Sequence, residues 1–297
     1  MPGSSEGPAP AGERLLAAEV APRVRLGDHL YDLTRRVLVM GILNRTPDSF
    51  FDRGAYFALD AFFERAEALV AAGADILDVG GVKAGPGPEV GSAEEIERVV
   101  PAIAALHERF DVPLSVDTWR AEVAREAYAA GALVGNDISG FGDPGYLAAA
   151  AEAGATVVAT HIRLGPRIPD PDPHYDDVTA EVAAFLVQRA TAAFDAGIPP
   201  DRIVVDAGLD LGKTWEQSVT LLRSSRALAT LGYPLLLSAS NKTFLGGLLG
   251  LGINERRDAS LAAAALGVAG GCRIVRVHDV AGTRRVVDTV AAILEHA

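Results

Sequence analysis

The sequence predicts a (β/α)₈ TIM barrel preceded by a short β-hairpin. Eight short, almost uniformly apolar runs recur along the chain, at 37–43, 76–79, 113–116, 132–135, 155–159, 202–205, 233–237 and 273–277. Runs apolar on both faces are what parallel strands covered by helices require. Each ends in a polar or Gly-rich turn, and most lead into an Ala/Leu/Glu/Arg stretch with helical spacing. The alternation fills roughly 260 residues, the size and rhythm of such a barrel. An open doubly wound sheet is the competing reading. Eight strands are more than most such sheets use, and no G-x-G-x-x-G follows the first run.

Residues 1–20 read as a flexible Gly/Pro/Ser-containing tail, and 21–297 as one domain with no internal linker. At 24–33 the pattern alternates about Gly27-Asp28, which predicts the hairpin. Helical periodicity then falls at 59–72, 93–109, 122–130, 178–196, 216–229, 255–269 and 283–296. Gly73, Gly131, Gly197 and Gly232 stand where helix C-caps are needed.

Composition removes several classes of function. A formal net charge of −12 is the wrong sign for a duplex-binding protein, so nucleic acid is not expected as a partner. The single cysteine, Cys272, allows no intrachain disulfide and fits a reducing, cytoplasmic setting. The least polar run, 261–272, is too short to span a bilayer, and the first residues lack the basic and apolar regions of a secretory leader.

In a barrel, chemistry collects at the C-terminal ends of the strands. Reading those positions in order gives Asn44-Arg45, then Asp78 with Gly80-Gly81-Val82-Lys83, Asp117-Thr118, Asn136-Asp137, His161-Ile162-Arg163, Asp206 with Gly212-Lys213, Ser240-Asn241-Lys242, and Arg276-Val277-His278-Asp279. Each alone has a plain explanation. Asp137 reads best as the N-cap of the next helix, and His161 is balanced between a structural and a ligand role. Eight polar exits on one rim point to a ligand. Asp117, Asn136 and Asp206 suit the N–H edge of a heterocycle, while Asn44, Lys83, Arg276 and His278 suit an anion, with or without a metal. All three lysines, Lys83, Lys213 and Lys242, lie on this rim in an otherwise arginine-using chain. There is no zinc-ligand spacing, no Walker motif around Lys213 and no Gly-x-Ser-x-Gly elbow.

The stretches Met40–Phe50 (MGILNRTPDSF), Asp78-Val-Gly-Gly81 with Pro86-Gly87, Ser115-Val-Asp-Thr118, Asn136-Asp137, Asp206 with Gly212-Lys213, Ser240-Asn-Lys242 and Arg276-Val-His-Asp279 resemble dihydropteroate synthase from about Val24 to the C-terminus. The pattern also resembles a divergent second dihydropteroate synthase-like paralogue of actinobacteria. The resemblance implies a (β/α)₈ barrel that condenses 6-hydroxymethyl-7,8-dihydropterin pyrophosphate with p-aminobenzoate, with Mg²⁺, in folate biosynthesis. It implies that Asp117, Asn136, Asp206, Lys242, Ser240, Arg276 and Lys83 bind substrate. Asn44, Lys242, Arg276 and His278 would serve catalysis, with Asn44 also at Mg²⁺. The segment 45–54 would close over the site. A homodimer through 255–269 and 283–296 is also implied.

The departures from the family pattern are concentrated. G-G-E-S-T-R-P-G becomes Gly80-Gly-Val-Lys-Ala-Gly-Pro-Gly87, S-R-K becomes Ser240-Asn-Lys242, and D-P-G-F-G-F-G-K becomes Asp206-Ala-Gly-Leu-Asp-Leu-Gly-Lys213. The pterin side is retained and the p-aminobenzoate side is altered, with Lys83 or Arg45 as candidate replacement cations. Two readings remain: a synthase with a changed acceptor loop, or a pterin-binding homologue with weak or no turnover. A pterin-dependent methyl carrier is disfavoured by the first-strand motif.

Overall fold

The computed structural model describes residues 22–45, 55–85 and 87–295. Eight parallel strands close into a barrel: β3 (Leu38–Asn44), β4 (Ile76–Gly80), β5 (Leu114–Asp117), β6 (Val134–Asp137), β7 (Thr156–Thr160), β8 (Ile203–Asp206), β9 (Leu235–Leu237) and β10 (Ile274–Val277). β10 pairs with β3, which closes the ring. The competing open sheet is thereby excluded. The helices around it are α1 (Ala55–Ala71), α2 (Ser92–Arg109), α3 (Ala121–Ala129), α4 (Tyr146–Glu152), α5 (Val178–Asp195), α6 (Trp215–Arg223), α7 (Ser225–Ala229), α8 (Thr243–Leu249), α9 (Arg257–Ala269) and α10 (Val280–Glu295).

The predicted hairpin is β1 (Arg23–Leu26) and β2 (His29–Asp32), turning at Gly27 with φ 58°. It closes the N-terminal end of the barrel. Val24 and Leu26 pack with Leu38, Met40, Ile76, Val134, Val158, Val204, Leu236 and Ile274. Arg25 pairs with Asp201 at 2.9 Å, and Arg202 donates to the Gly27 carbonyl at 2.8 Å, pinning the hairpin to the floor.

Side chains alternate across a strand, so residues two apart share a face. One step above Ile76, Val134, Val204 and Ile274 stand Asp78, Asn136, Asp206 and Arg276. The barrel interior is therefore an apolar floor beneath a polar layer. The strand register sets Asp117 beside Asn136, and Thr160 beside Asp206.

One predicted helix is split, and two helices are additional to those predicted. The helical stretch 216–229 breaks at Ser224 into α6 and α7. α4, of seven residues, was missed because an Ala-rich turn pair shows no periodicity. α8 was missed because its first turn is capped from a distant segment by Asp210 rather than by a neighbour in sequence. The tail 1–20 and most of the closing segment 45–54 lie outside the described residues.

Candidate active site

Arg276 rises from the end of β10 into the middle of the polar layer. Its Nε donates to Asp78 Oδ2 at 2.6 Å and its Nη2 to Asp117 Oδ2 at 2.6 Å. Asn136 Nδ2 donates to the same Asp78 oxygen at 3.2 Å. A planar guanidinium spanning two carboxylates is fixed in orientation as well as position. Asp78 is wholly buried, and its second oxygen, Oδ1, has no hydrogen-bond partner. Burial pushes the Asp117 carboxyl up, against the pull of Arg276. Asp78 was not among the predicted site residues. Its position at a strand end was the available signal, but its partner lies 198 residues away.

Across the barrel, Asp206 is 5 % exposed and its Oδ1 accepts from the Gly208 N–H at 2.8 Å. Burial raises its pKa, opposed by Lys242 and by that N–H. Lys242 Nζ donates to the Leu209 carbonyl at 2.6 Å, and burial lowers its pKa. Asp117, Asn136, Asp206, Lys242 and Arg276 thus come together over the apolar floor.

His278 and Ser240 form a second group. The Ser240 hydroxyl lies 3.0 Å from His278 Nδ1 and accepts from the His278 backbone N–H at 3.2 Å. Burial, with Arg276 and Arg65 nearby, lowers the His278 pKa to about 4. The imidazole is neutral at pH 7. A serine hydroxyl that donates to Nδ1 would leave the ring hydrogen on Nε2. Both residues line a cavity of about 540 Å³ that also touches Asn241, Arg65 and Arg257.

Asn44 ends β3 opposite Gly80. A Cβ at Gly80 would lie 3.3 Å from Asn44 Oδ1 and 3.4 Å from Asp117 Cβ, so glycine keeps this approach open. No cluster of three His, Cys, Asp or Glu with metal-binding geometry occurs among the described residues. Asn44 can offer a cation one neutral oxygen.

The altered segment after β4 is tied to the one after β7. The Arg167 N–H donates to the Ala84 carbonyl at 3.2 Å, and Arg167 Nη2 donates to the Gly87 and Pro88 carbonyls. Lys83 is exposed. Arg45 lies over the Phe62 ring, 5.5 Å from its centroid, and its N–H bonds the Gly80 carbonyl. A Cβ built on Gly85 meets nothing within 4 Å. Asp137 bonds the N–H groups of Ser139 and Phe141 and serves its own turn.

These positions can be set against known proteins. A family model described as pterin binding enzyme matches residues 40–278. The chain belongs to the dihydropteroate synthase family. It is 46 % identical to a protein named inactive dihydropteroate synthase 2 of Mycobacterium leprae, over 87 % of this chain and 91 % of that one. It is 41 % identical to dihydropteroate synthase of Synechocystis, over 92 % of this chain and 95 % of that protein. The crystal structure of Xanthomonas albilineans dihydropteroate synthase with 4-aminobenzoic acid superposes with a TM-score of 0.85 at 40 % identity, covering 93 % of this chain and 99 % of that one. The likeness to dihydropteroate synthases thus spans the barrel and both groups of site residues, and it includes a relative described as inactive.

Proposed function

We propose that this chain is a dihydropteroate synthase-type transferase, acting in the cytoplasm as a single pterin-binding barrel domain spanning 21–297. The reaction displaces diphosphate from 6-hydroxymethyl-7,8-dihydropterin pyrophosphate and forms a C–N bond to p-aminobenzoate. The observation that carries this reading is Arg276 held between Asp78 and Asp117 beside Asn136, with Asp206 facing them.

Asp206, with one oxygen already fixed by the Gly208 N–H, accepts from the amino and N3–H edge of the pterin. Asn136 and Asp117 read the opposite edge, and Lys242 donates along the ring. Arg276 presents its flat face to the ring while its edge is occupied by the two carboxylates. His278 donates from Nε2 to the departing diphosphate, with Ser240 holding the tautomer, and Arg276 adds fixed positive charge. Mg²⁺, where present, would neutralise the diphosphate, with Asn44 among its oxygens. An arylamine is already unprotonated at pH 7, so no dedicated base is required.

A homodimer through α9 and α10 accompanies this reading. Leu266 and Ile293 on those helices are each 64 % exposed, and burial against a second copy would remove that apolar surface from water.

The second reading, a pterin binder with little turnover, is favoured by one feature. The segment after β4 carries Ala84 and Gly85, which offer no side-chain donor to the acceptor side. Diphosphate release, measured with and without p-aminobenzoate, separates the two. Release that needs p-aminobenzoate and yields dihydropteroate establishes the transferase. Pterin binding without release leaves the binder. Pterin affinity equal in wild type and Asp206→Ala would sink both.

A further inference from the structure

Lys213 takes no part in the chemistry above, yet it is 8 % exposed and surrounded by acceptors. Its Nζ lies 2.8 Å from His161 Nδ1, 2.9 Å from the Gly208 carbonyl and 3.0 Å from the Leu211 carbonyl. An ammonium has three N–H groups and no lone pair. It matches the three nearest acceptors when His161 Nδ1 is bare, with the His161 carbonyl a more distant fourth at 3.4 Å. A neutral amine offers two hydrogens, and it meets His161 Nδ1 only if the imidazole moves its own hydrogen onto that nitrogen.

The contacts converge on the turn that aims Asp206. The His161 N–H donates to the Asp206 carbonyl at 2.9 Å. Gly208 has φ 65°, and a Cβ there would sit 1.9 Å from the His161 carbonyl oxygen. The turn after β8 therefore lies flush against the end of β7. Gly208 gives its N–H to the Asp206 carboxylate and its carbonyl to Lys213. His161 is itself fixed edge-on to Phe185, ring centroids 4.7 Å apart.

We propose that Lys213 is a positioning residue whose ammonium ties the segment after β8 to His161, so that the Asp206 carboxylate faces the pterin in its binding geometry. The proposal rests on the pterin-pocket reading above. The tie holds while Lys213 is charged and slackens when it is neutral, so pterin affinity depends on this proton.

The surrounding groups set where that happens. On its own segment Lys213 faces Asp206 and Asp210. From the segment after β7 it faces His161, with Tyr175 bonded to the adjacent Gly212 carbonyl and the Arg163–Asp170 pair beside Gly212. From the segment after β9 it faces Lys242. Burial, reinforced by Lys242 and opposed by the two carboxylates, brings the ammonium down to about 7. His161, lowered to about 3 by burial and by Lys213, stays neutral throughout. The switch lies on the lysine, within the physiological range.

The chain has only three lysines, which makes a direct test simple. In full-length protein labelled with ¹³C at lysine Cε, the Lys213 signal, assigned with Lys213→Met, should titrate near neutrality. Saturation with 6-hydroxymethylpterin should raise its midpoint, because a ligand that prefers the charged form must strengthen proton binding. In parallel, wild-type affinity for that pterin should fall about tenfold more than the variant's between pH 6 and 9, a typical coupling. Comparing the two at each pH cancels the ligand's own ionisation. A Lys213 midpoint unmoved by pterin, or identical pH profiles for variant and wild type, overturns the proposal. If wild type binds no pterin at any pH, the pocket reading falls first. The tie is then judged alone, and Gly208 and His161 amide shifts that ignore the Lys213 titration reject it.

Discussion

Arg276 Nη2 stands 2.6 Å from Asp117 Oδ2, and the same guanidinium holds the wholly buried Asp78 at 2.6 Å through Nε. The centre of the barrel mouth is thus a three-residue ion cluster, with one cation serving two anions. Taking away the cation leaves two carboxylates facing one another in a desolvated cleft. Each would then be forced to protonate or to draw in water.

Arg276→Met should therefore lower unfolding stability by about 3–5 kcal/mol, the usual result of stranding a buried charge. Adding Asp78→Asn should recover part of that loss. Urea denaturation of the single and double variants decides the matter; a single variant as stable as wild type would show the carboxylates are not held apart by Arg276.

Gly85 faces open space and Ala84 is exposed, so larger side chains fit there without backbone strain. Restoring Ala84→Thr with Gly85→Arg should raise dihydropteroate formation from p-aminobenzoate by about 10²-fold, the scale of one returned donor at developing charge. Steady-state kinetics with an unchanged pterin affinity would locate the gain on the acceptor side. No gain would mean the deficit, if any, lies elsewhere on the rim.

His278 has its folded pKa lowered to about 4 against an ordinary value near 6.5. The unfolded chain therefore takes up a proton between these values and the folded chain does not. Stability falls as pH drops from about 6.5 towards 4 and is insensitive to this group above 6.5. Relative to wild type, His278→Asn should lose this slope, gaining about 1–2 kcal/mol between pH 7 and pH 5. Paired denaturation curves at those two pH values isolate it from the acidic groups, which titrate in both proteins.

Asp210, at φ 66°, accepts from the backbone N–H of Thr243 at 2.5 Å and of Phe244 at 3.1 Å, and from the Thr243 hydroxyl at 2.7 Å. It caps α8 from 33 residues away and so fixes Lys242 at the helix start. Asp210→Ala should cost about 1–2 kcal/mol of stability, the loss of a good cap. Asp210→Asn, which tolerates the same backbone and keeps one acceptor, should cost less. Thermal melts of the two variants rank them, and equal melting points would argue against a capping role.

The barrel and the identity of nearly every rim residue were legible in the sequence, and the reason is local. A strand's inward face repeats every second residue, and a crossover helix repeats every 3.6, so Ile274 and Arg276 or Val204 and Asp206 announce floor and rim without reference to anything distant. The glycine at 27 likewise marked the hairpin turn. What the chain's linear order could not contain is which rim groups meet. Arg276 reaches Asp78 and Asp117 only because β10 closes onto β3. Lys213 reaches His161 across 52 residues because β7 and β8 are neighbours. The same holds for Asp210 at the start of α8, and for the break at Ser224, where a continuous helical pattern passes unseen through a bend. Periodicity is a property of one segment. Pairing of charges is a property of which strands lie side by side and of the closure that joins the first to the last, and that arrangement made partners of Lys213 and His161, and of Asp78 and Arg276.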